Sequence, residues 1–306
     1  MKSDATHAIG IDVGGTKIAG GLIELRSGAI VARRHQPTLP QRGGQAVLDD
    51  VLSQAGELAA EARTRGLTAS AIGVGLPQLV TPAGDVRSDH LFDWRELRAA
   101  ERLGGVAPAR LESDVRAAAL AEARFGAGRG HEIFCYVTIG TGLSYCLVIG
   151  GRPFAGARGY AIHFASAPQW VRCRACGTVH KATLEELDAG PGIAAAYGAR
   201  RQRPVAGAED VFAAAVSGDA DAVAVLDAAA LELGAVIGQM VNMLDPQALV
   251  IGGGLGLARG RYGDRLIAAI RDHVFAGDAS GLPILSAALG AEAGIVGAAL
   301  SAVDPG

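Results

Sequence analysis

The chain has 306 residues; half of them are hydrophobic, 5% are aromatic, 19% are charged, and the formal net charge at pH 7 is −3. This length can bury a substantial core in two lobes, and the Ala- and Gly-rich composition is typical of a folded α/β protein. The slight negative charge argues against nucleic-acid or membrane binding. No signal peptide or membrane-spanning apolar run is visible, so we expect a cytoplasmic protein.

Short apolar segments separated by glycine turns predict a β-meander up to about Leu39. A helix is predicted over residues 46–65, and a buried strand over 71–77. A short segment at 109–114 leads into an Ala-rich helix at 116–125. Ser113 or Asp114 is a candidate N-cap of this helix, which is a purely structural explanation for both residues.

The second half repeats the opening pattern of strand, Gly/Thr turn and strand over residues 133–149. Two such hairpins predict a duplicated architecture with a cleft between two lobes. Helices are predicted over residues 182–199 and 208–242, the second broken near residues 217–218. A strand at 249–255 runs into a glycine turn, and residues 291–303 are predicted to form a last helix.

The first glycine turn, Asp12-Val-Gly-Gly-Thr-Lys17, lies between two strand-like segments. Gly14 and Gly15 can adopt positive φ and let backbone N–H groups approach a ligand closely. Thr16 adds a hydroxyl donor and Lys17 an ammonium group suited to phosphate, while Asp12 can hold a metal ion or its water. Taken alone, the segment fits an ordinary hairpin equally well.

Glycine-rich turns follow strands at three places, near residues 14, 141 and 253. Three such turns favour backbone surfaces that converge on one phosphate-bearing ligand. Thr16, Thr138 and Thr141 supply hydroxyls near two of the turns, and glycines at 252–254 would let a purine lie against the backbone.

Five segments, in order along nearly the whole chain, resemble the ROK family of repressors, open-reading-frame proteins and kinases. They are Asp12-Val-Gly-Gly-Thr-Lys17, Glu112-Ser-Asp114, Thr138-Ile-Gly-Thr-Gly142, Leu184-Glu-Glu-Leu-Asp-Ala-Gly-Pro191 and Ile251-Gly-Gly-Gly254. The resemblance implies an α/β actin-like ATPase (ribonuclease H-like) fold with an interlobe cleft. The smaller lobe would comprise residues 1–118 and the C-terminal helix 291–306, and the larger lobe residues 119–290.

The resemblance also implies an ATP- and Mg²⁺-dependent kinase that phosphorylates a hydroxyl of a sugar or a sugar-like cyclitol. Asp114 falls on the family's catalytic base, and Asp12 would lie beside Mg²⁺. The phosphates would be held by Gly14, Gly15, Thr16, Lys17, Thr138, Gly140, Thr141 and Gly142, and the adenosine by Gly252, Gly253 and Gly254.

A structural zinc site is predicted from His163, Cys173, Cys176 and His180. ROK kinases usually carry a His followed by Cys-x-Cys-Gly-x-x-Gly-Cys. Here the two cysteines are spaced x-x and the last cysteine is missing, with His180 as the nearest replacement. Two Cys and two His suit tetrahedral Zn²⁺, while buried thiols and surface histidines are the alternative.

The acceptor pocket departs most from the family pattern. Glucose-type members carry Asn-Asp-x-Asn where this chain has Ser113-Asp114-Val-Arg116, and an Asn where it has His90. Tyr160 lies in a shortened segment without the family's glutamate, whereas Glu185 matches the second sugar-facing glutamate. The substrate is therefore predicted not to be glucose. Because ROK relatives that phosphorylate C7-cyclitols also have altered sugar pockets, the resemblance favours a C7-cyclitol or a modified hexose. Arg116 either faces an anionic or keto group of the substrate or lies on the solvent side of its helix.

Two other functions are compatible with the resemblance, a sugar-responsive ROK regulator and a sugar-binding protein that has lost catalysis. Only eleven residues precede Asp12, which leaves no room for an N-terminal helix-turn-helix and disfavours DNA binding. The presence of Asp114 argues against a sugar-binding protein that has lost catalysis. The expected partners are a small sugar or cyclitol and a second copy of the chain, since the family usually forms homodimers.

Overall fold

The computed structural model describes residues 6–172 and 177–304, which form a mixed α/β protein with two five-stranded sheets and one two-stranded sheet. The chain divides into two compact units. Unit 1 comprises Met1–Tyr136, Cys146–Ile162 and Ala287–Gly306, and unit 2 comprises Val137–Tyr145 and His163–Ser286. The predicted lobe boundaries at residues 118 and 291 stay a prediction.

The strands are β1 (His7–Val13), β2 (Lys17–Glu24), β3 (Ile30–Pro37), β4 (Ala69–Leu76), β5 (Ala109–Ser113), β6 (Ile133–Ile139), β7 (Leu143–Ile149), β8 (Arg152–Pro153), β9 (Gln169–Arg172), β10 (Val179–Ala182), β11 (Ala248–Gly252) and β12 (Ile284–Ser286). The helices are α1 (Gly44–Thr64), α2 (Ala99–Gly104), α3 (Asp114–Phe125), α4 (Leu184–Asp188), α5 (Gly190–Arg201), α6 (Ala208–Val216), α7 (Ala220–Leu244), α8 (Arg261–Asp272) and α9 (Ala293–Val303). Within the described ranges, none of these helices has the length and apolar character needed to cross a membrane.

The sheet of unit 1 has the strand order β3-β2-β1-β4-β5. β1, β2 and β3 form an antiparallel meander, whereas β4 runs parallel to both β1 and β5. Alternate side chains of β1, Ile9, Ile11 and Val13, are fully buried in a core that includes Leu58 and other apolar residues of α1. Burial of each such side chain contributes about 1.5–3 kcal/mol.

The C-terminal helix α9 lies directly on the backbone of the two central strands of this sheet. A Cβ on Gly10 of β1 would come within 1.9 Å of the Ile295 carbonyl oxygen, and one on Gly73 of β4 within 1.6 Å of the Ala298 oxygen. Since real Cβ atoms do not approach so closely, only glycine at these positions allows the contact. The helix is therefore held at a fixed position over the strands.

Unit 2 contains an antiparallel β9–β10 hairpin, a parallel β11–β12 pair and the helices α4 to α8. α6 and α7 are separated by Gly218, which has φ of +88°, and by Asp219, whose carboxylate accepts from two N–H groups in the first turn of α7. The predicted break near residues 217–218 is confirmed.

Most predicted elements are confirmed, including the meander, α1, β4, β6, β7 and α9. The single helix predicted over residues 182–199 is wrong, because Ala189 is extended at φ −76° and ψ 169° and separates α4 from α5. Thr183 and Glu186 form a capping box that starts α4 independently, and Pro191 fits the first turn of α5.

Candidate active site

Two carboxylates of unit 1, Asp12 and Asp114, lie at the same edge of its sheet. Asp12 is near the end of β1, and Asp114 follows β5 directly as the first residue of α3. Gly75 of β4 is in register with both Asp12 and Glu112, so it separates the two strands without a side chain. A Cβ placed on Gly75 would be 3.6 Å from both Asp12 Oδ1 and the Asp114 Cα. We call Asp12 and Asp114 the acid pair.

The surroundings of the acid pair favour protonation. Burial raises the pKa of Asp12 to about 6, against the opposing effect of the Lys17 ammonium. Burial, and next the charge of Asp12, raises the pKa of Asp114 to about 7. A hydrogen bond of 2.6 Å from the Val115 N–H to Asp114 Oδ1 partly offsets these effects. Asp114 is therefore a carboxylate that exchanges a proton near neutral pH, as a general base requires.

The first glycine turn connects β1 to β2 beside Asp12. The Gly14 N–H donates to the Lys17 carbonyl over 3.0 Å, and Gly15, Thr16 and Lys17 are exposed. Neither Gly14 nor Gly15 is among the residues with positive φ, so the turn does not use the left-handed conformation that is open to glycine. The backbone hydrogen bond closes the turn without the left-handed conformation.

Thr38, fully buried, braces this turn and was not found from the sequence. Its hydroxyl donates to the Gly14 carbonyl over 2.6 Å, and its N–H donates to the Thr16 carbonyl over 3.1 Å. No sequence pattern distinguishes Thr38 from an ordinary residue at the end of a strand. Its role follows from the pairing of β2 with β3.

The two glycine turns predicted in the second half of the chain pack on each other within unit 2. The Ile139 carbonyl, at the end of β6, accepts from the N–H groups of Leu255 and Gly256, both at 3.0 Å. Gly253 has φ of +81°, and a Cβ on it would be 2.4 Å from the Ile139 oxygen. Nothing lies within 4 Å of a Cβ placed on Gly254, so the backbone there borders open space.

Glu185 and Gly190 hold the turn at residues 138–142. Glu185 Oε2 accepts from the Leu143 N–H over 2.7 Å, and the Gly190 N–H at the start of α5 donates to the Gly140 carbonyl over 2.8 Å. Turn closure comes from the Gly140 N–H, which donates to the Gly142 carbonyl. The segment that carries Glu185 is thus fixed to a predicted phosphate turn.

Four other predicted acceptor residues lie in unit 1. Ser113 is fully buried, and its hydroxyl is 3.5 Å from Asp114 Oδ1. It occupies the N-cap position of α3 as predicted, but its side chain makes no cap hydrogen bond. Arg116 is 2% exposed and bonded to protein groups, which makes its solvent-side alternative wrong. His90 and Tyr160 are exposed. Substrate contact by these residues stays a prediction.

The predicted zinc ligands Cys173 and Cys176 lie outside the described residues. His163 Nδ1 is 3.1 Å from the Ser166 hydroxyl, and His180 is exposed on β10. Over residues 6–172 and 177–304, no three or more His, Cys, Asp or Glu side chains are grouped so that they could hold a metal ion. Zinc binding stays a prediction.

Residues 8–304 match the ROK family. The bifunctional enzyme NanE/NanK of Brucella melitensis is 33% identical over 303 residues, which are 96% of this chain and 54% of that protein. The chain thus spans about half the length of this relative. Other relatives that it matches are glucokinases and N-acetylmannosamine kinases.

Crystal structures agree with this match. The ROK hexokinase of Thermus thermophilus has a TM-score of 0.80 and 31% identity, covering 97% of this chain and 98% of that one. A ROK glucokinase of Streptomyces griseus, solved with glucose and AMPPNP, has a TM-score of 0.78 and 26% identity, covering 96% of this chain and 98% of that one. The predicted α/β actin-like ATPase fold is confirmed.

Proposed function

Because the chain belongs to the ROK family, we propose that it is a kinase that transfers the γ-phosphoryl group of ATP to a hydroxyl of a sugar or sugar-like cyclitol. The observation that carries the proposal is the acid pair, in which Asp114 has a pKa raised to about 7 at the edge of the sheet. Glucokinases and N-acetylmannosamine kinases among the relatives support this reaction class.

Asp114 acts as the general base. Its carboxylate accepts the proton of the acceptor hydroxyl while that oxygen forms a bond to the γ-phosphorus and the bond to the ADP oxygen breaks. The Val115 N–H, bonded to Oδ1, fixes the orientation of the carboxylate at the start of α3. Because the charge of Asp12 disfavours a second negative charge nearby, it strengthens Asp114 as a base.

Asp12 is the residue that would hold Mg²⁺. A carboxylate is the hard oxygen ligand that Mg²⁺ prefers, and a cation there would offset the charge of a carboxylate whose pKa burial raises to about 6. When bound, the ion supplies charge neutralisation for the phosphates. Lys17 is a second cationic group near Asp12.

We assign phosphate binding to the two Gly/Thr turns, and adenosine binding to the third. Residues 14–17 are exposed apart from Gly14, which is partly buried, so backbone N–H groups and the Thr16 hydroxyl are accessible. Thr138, Thr141 and the glycines at 140 and 142 would form the second phosphate surface. Gly252, Gly253 and Gly254 would receive the base, in line with the open space at Gly254.

The acceptor is proposed to be a C7-cyclitol or a modified hexose rather than glucose. Where glucose-type members resembling this chain carry two Asn residues, it has Ser113, whose hydroxyl lies against Asp114, and Arg116, whose guanidinium is bonded to protein groups. The two amide groups that would pair with glucose hydroxyls are therefore replaced, and a site built on hydrogen bonds discriminates strongly at such positions.

ADP release measured with purified protein, ATP and Mg²⁺ tests the function, using hexoses, N-acyl amino sugars and cyclitols as acceptors. We expect turnover with at least one acceptor, and a kcat/KM for glucose below that of the best acceptor. Asp114→Asn should abolish turnover. Asp93→Asn, at an exposed carboxylate paired with Arg95, should leave turnover unchanged.

Two other results of this experiment would replace the proposal. If the protein binds a sugar but forms no ADP with any acceptor, it is a sugar-binding protein or regulator. Activity at the wild-type level in Asp114→Asn would show that Asp114 is not the general base. Assembly as a homodimer is a separate proposal, tested by the mass of the protein in solution.

A further inference from the structure

Arg116 is a fully enclosed arginine two residues after the proposed base. It lies in the first turn of α3 with 2% of its surface exposed. Its Nε donates to Glu112 Oε1 over 2.7 Å, and its Nη1 and Nη2 donate to the carbonyl oxygens of Gly159 and Val80, each over 2.6 Å. A buried guanidinium is strongly destabilising unless it is paired and hydrogen-bonded, and here all three nitrogens have acceptors.

The two carbonyls belong to chain segments that are far apart in sequence. Val80 lies just after β4, and Gly159 lies after β8 and directly before Tyr160. The segments also touch through their backbones, because a Cβ on Gly159 would be 2.1 Å from the Val80 oxygen, and Gly159 has φ of +85°. Arg116 therefore joins two segments at a point where only glycine fits.

Each segment also carries one of the exposed residues predicted to face the acceptor. Tyr160 is next to Gly159. In the segment that contains Val80, the buried Gln78 side chain accepts from the Ser88 hydroxyl and, over 3.2 Å, from the N–H of His90. The geometry that fixes Val80 and Gly159 thus also constrains the backbone around His90 and Tyr160.

Glu112 completes the arrangement and fixes it to β5. Its Oε1 accepts from Arg116 and, over 2.8 Å, from the N–H of Ser113, the residue before Asp114. The ion pair neutralises the buried guanidinium, and both of its members flank the base in sequence. The position of Asp114 and that of the two segments are therefore coupled through one side chain.

In place of the substrate contact predicted for Arg116 from the sequence, we propose that Arg116 is a positioning residue for acceptor specificity, which clamps the segments at residues 78–90 and 154–162 beside Asp114 and does not contact the substrate. The effect on acceptor specificity rests on the proposed kinase function, whereas the clamp itself rests on the hydrogen bonds alone. A lysine at 116 keeps the charge but cannot donate to three acceptors in a fixed planar arrangement.

The test combines hydrogen exchange of the ligand-free protein with steady-state kinetics on Arg116→Lys, Arg116→Met and Glu112→Gln. Arg110→Met is the matched control, since the partly buried Arg110 on β5 donates to the Pro82 carbonyl of the segment at residues 78–90. In the Arg116 variants we expect exchange at residues 154–162 to be at least ~10-fold faster. The KM for the acceptor should rise at least ~10-fold and the KM for ATP less than ~2-fold. Arg110→Met should leave residues 154–162 unchanged.

Two other results would overturn the proposal. Altered kinetics with unchanged exchange would mean that Arg116 acts on the substrate directly. Faster exchange with an unchanged acceptor KM would mean that the segments do not set specificity. If neither Arg116 variant folds, Glu112→Gln, which keeps the shape and an acceptor but removes the charge, must show the same two changes to a smaller extent. Wild-type protein without turnover would reject the kinase function, and the exchange result would still decide the clamp.

Discussion

Gly294, in the first turn of α9, lies against the carboxylate of Asp12. A Cβ placed on Gly294 would be 2.6 Å from both Cγ and Oδ2 of Asp12, and 3.1 Å from Oδ1. The side chain of Asp12 is short and is anchored to β1, so it can yield little. The C-terminal helix therefore sets the position of the acid nearest the first glycine turn, although the two residues lie at opposite ends of the chain.

Gly294→Ala should displace Asp12 and reduce kcat/KM for Mg·ATP at least ~10-fold without unfolding the protein. Gly56→Ala is the control: Gly56 lies within α1 with nothing within 4 Å of an added Cβ. There alanine should stabilise the fold by about 0.5–1 kcal/mol and leave activity unchanged. Equal activities in wild type and Gly294→Ala, measured across a Mg²⁺ titration, would show that Asp12 does not need this position.

Replacing the proposed base should affect chemistry far more than binding. For Asp114→Ala we expect turnover to fall at least ~10³-fold while the folded protein still binds nucleotide. Asp114→Asn keeps the shape of the side chain and should lose as much, because an amide cannot accept the proton. Single-turnover kinetics and circular dichroism measure the two effects. If turnover falls by less than ~10-fold, another group accepts the proton of the acceptor hydroxyl.

The raised pKa of Asp114 makes both stability and activity depend on pH. The folded-state pKa of about 7 exceeds the ordinary value of 3.8, so the native state binds the proton more tightly and the stability contribution falls as pH rises from 3.8 to 7. This difference bounds the effect at about 4 kcal/mol, and partial exposure of the carboxylate reduces it.

Without nucleotide and divalent cations, Asp114→Asn should therefore melt above wild type at pH 8, with a smaller difference at pH 5. In the active enzyme kcat/KM should decrease as the base becomes protonated, at a pH below 7, because Mg²⁺ held by Asp12 would offset the charge that helps to raise the pKa of Asp114. Thermal melts of both proteins across pH 4 to 8 check the first expectation. A melting difference that does not change with pH would mean that the pKa of Asp114 is not raised.

The elements of the fold were predictable where the pattern is local. Alternating apolar residues and glycine turns located β1, β2, β6 and β7, and helical spacing located α1. The division of residues 182–199 into two helices was not predicted. Apolar spacing continues across Ala189, and the break comes from an extended backbone at that one residue.

The candidate site residues came from motifs, but the residues that support them could not be found in this way. Asp12 and Asp114 were identified from motifs, whereas Glu122 reads in the sequence as a solvent-facing residue of an Ala-rich helix. It is fully buried, and its carboxylate accepts from the N–H groups of Ala127, Ala288 and Leu289. Such a support joins α3 to a segment more than 160 residues away, and no local pattern carries that information.

A zinc measurement decides the metal prediction that the sequence supports. We expect one Zn²⁺ per chain in protein prepared without chelator, bound through the segment with Cys173 and Cys176. Cys176→Ser should lose the metal and melt at a lower temperature, because a structural zinc stabilises only the folded state. Cys135→Ser, at a buried free thiol in β6, is the control for loss of a cysteine without loss of zinc. Metal-free wild type that melts like the zinc-loaded protein would reject the site.

Glu185 has two possible roles, and substitution separates them. Its Oε2 accepts from the Leu143 N–H over 2.7 Å and lies 3.0 Å from where a Cβ on Gly142 would be, so it supports the turn at residues 138–142. Glu185→Gln keeps an acceptor there. If support of the turn is its main role, Glu185→Gln should stay within ~5-fold of wild-type kcat/KM.

Glu185→Ala should then lose about 1–3 kcal/mol of stability, because the Leu143 N–H is left without its acceptor, and should raise the KM for ATP through the loosened turn. Glu186→Ala, which removes the neighbouring capping box of α4, is the control for general damage to that helix and should lower stability by about 1 kcal/mol. If the carboxylate instead binds the acceptor, Glu185→Gln will lose acceptor affinity as severely as Glu185→Ala while the KM for ATP stays constant. Chemical denaturation together with separate titrations of ATP and acceptor distinguishes the two roles.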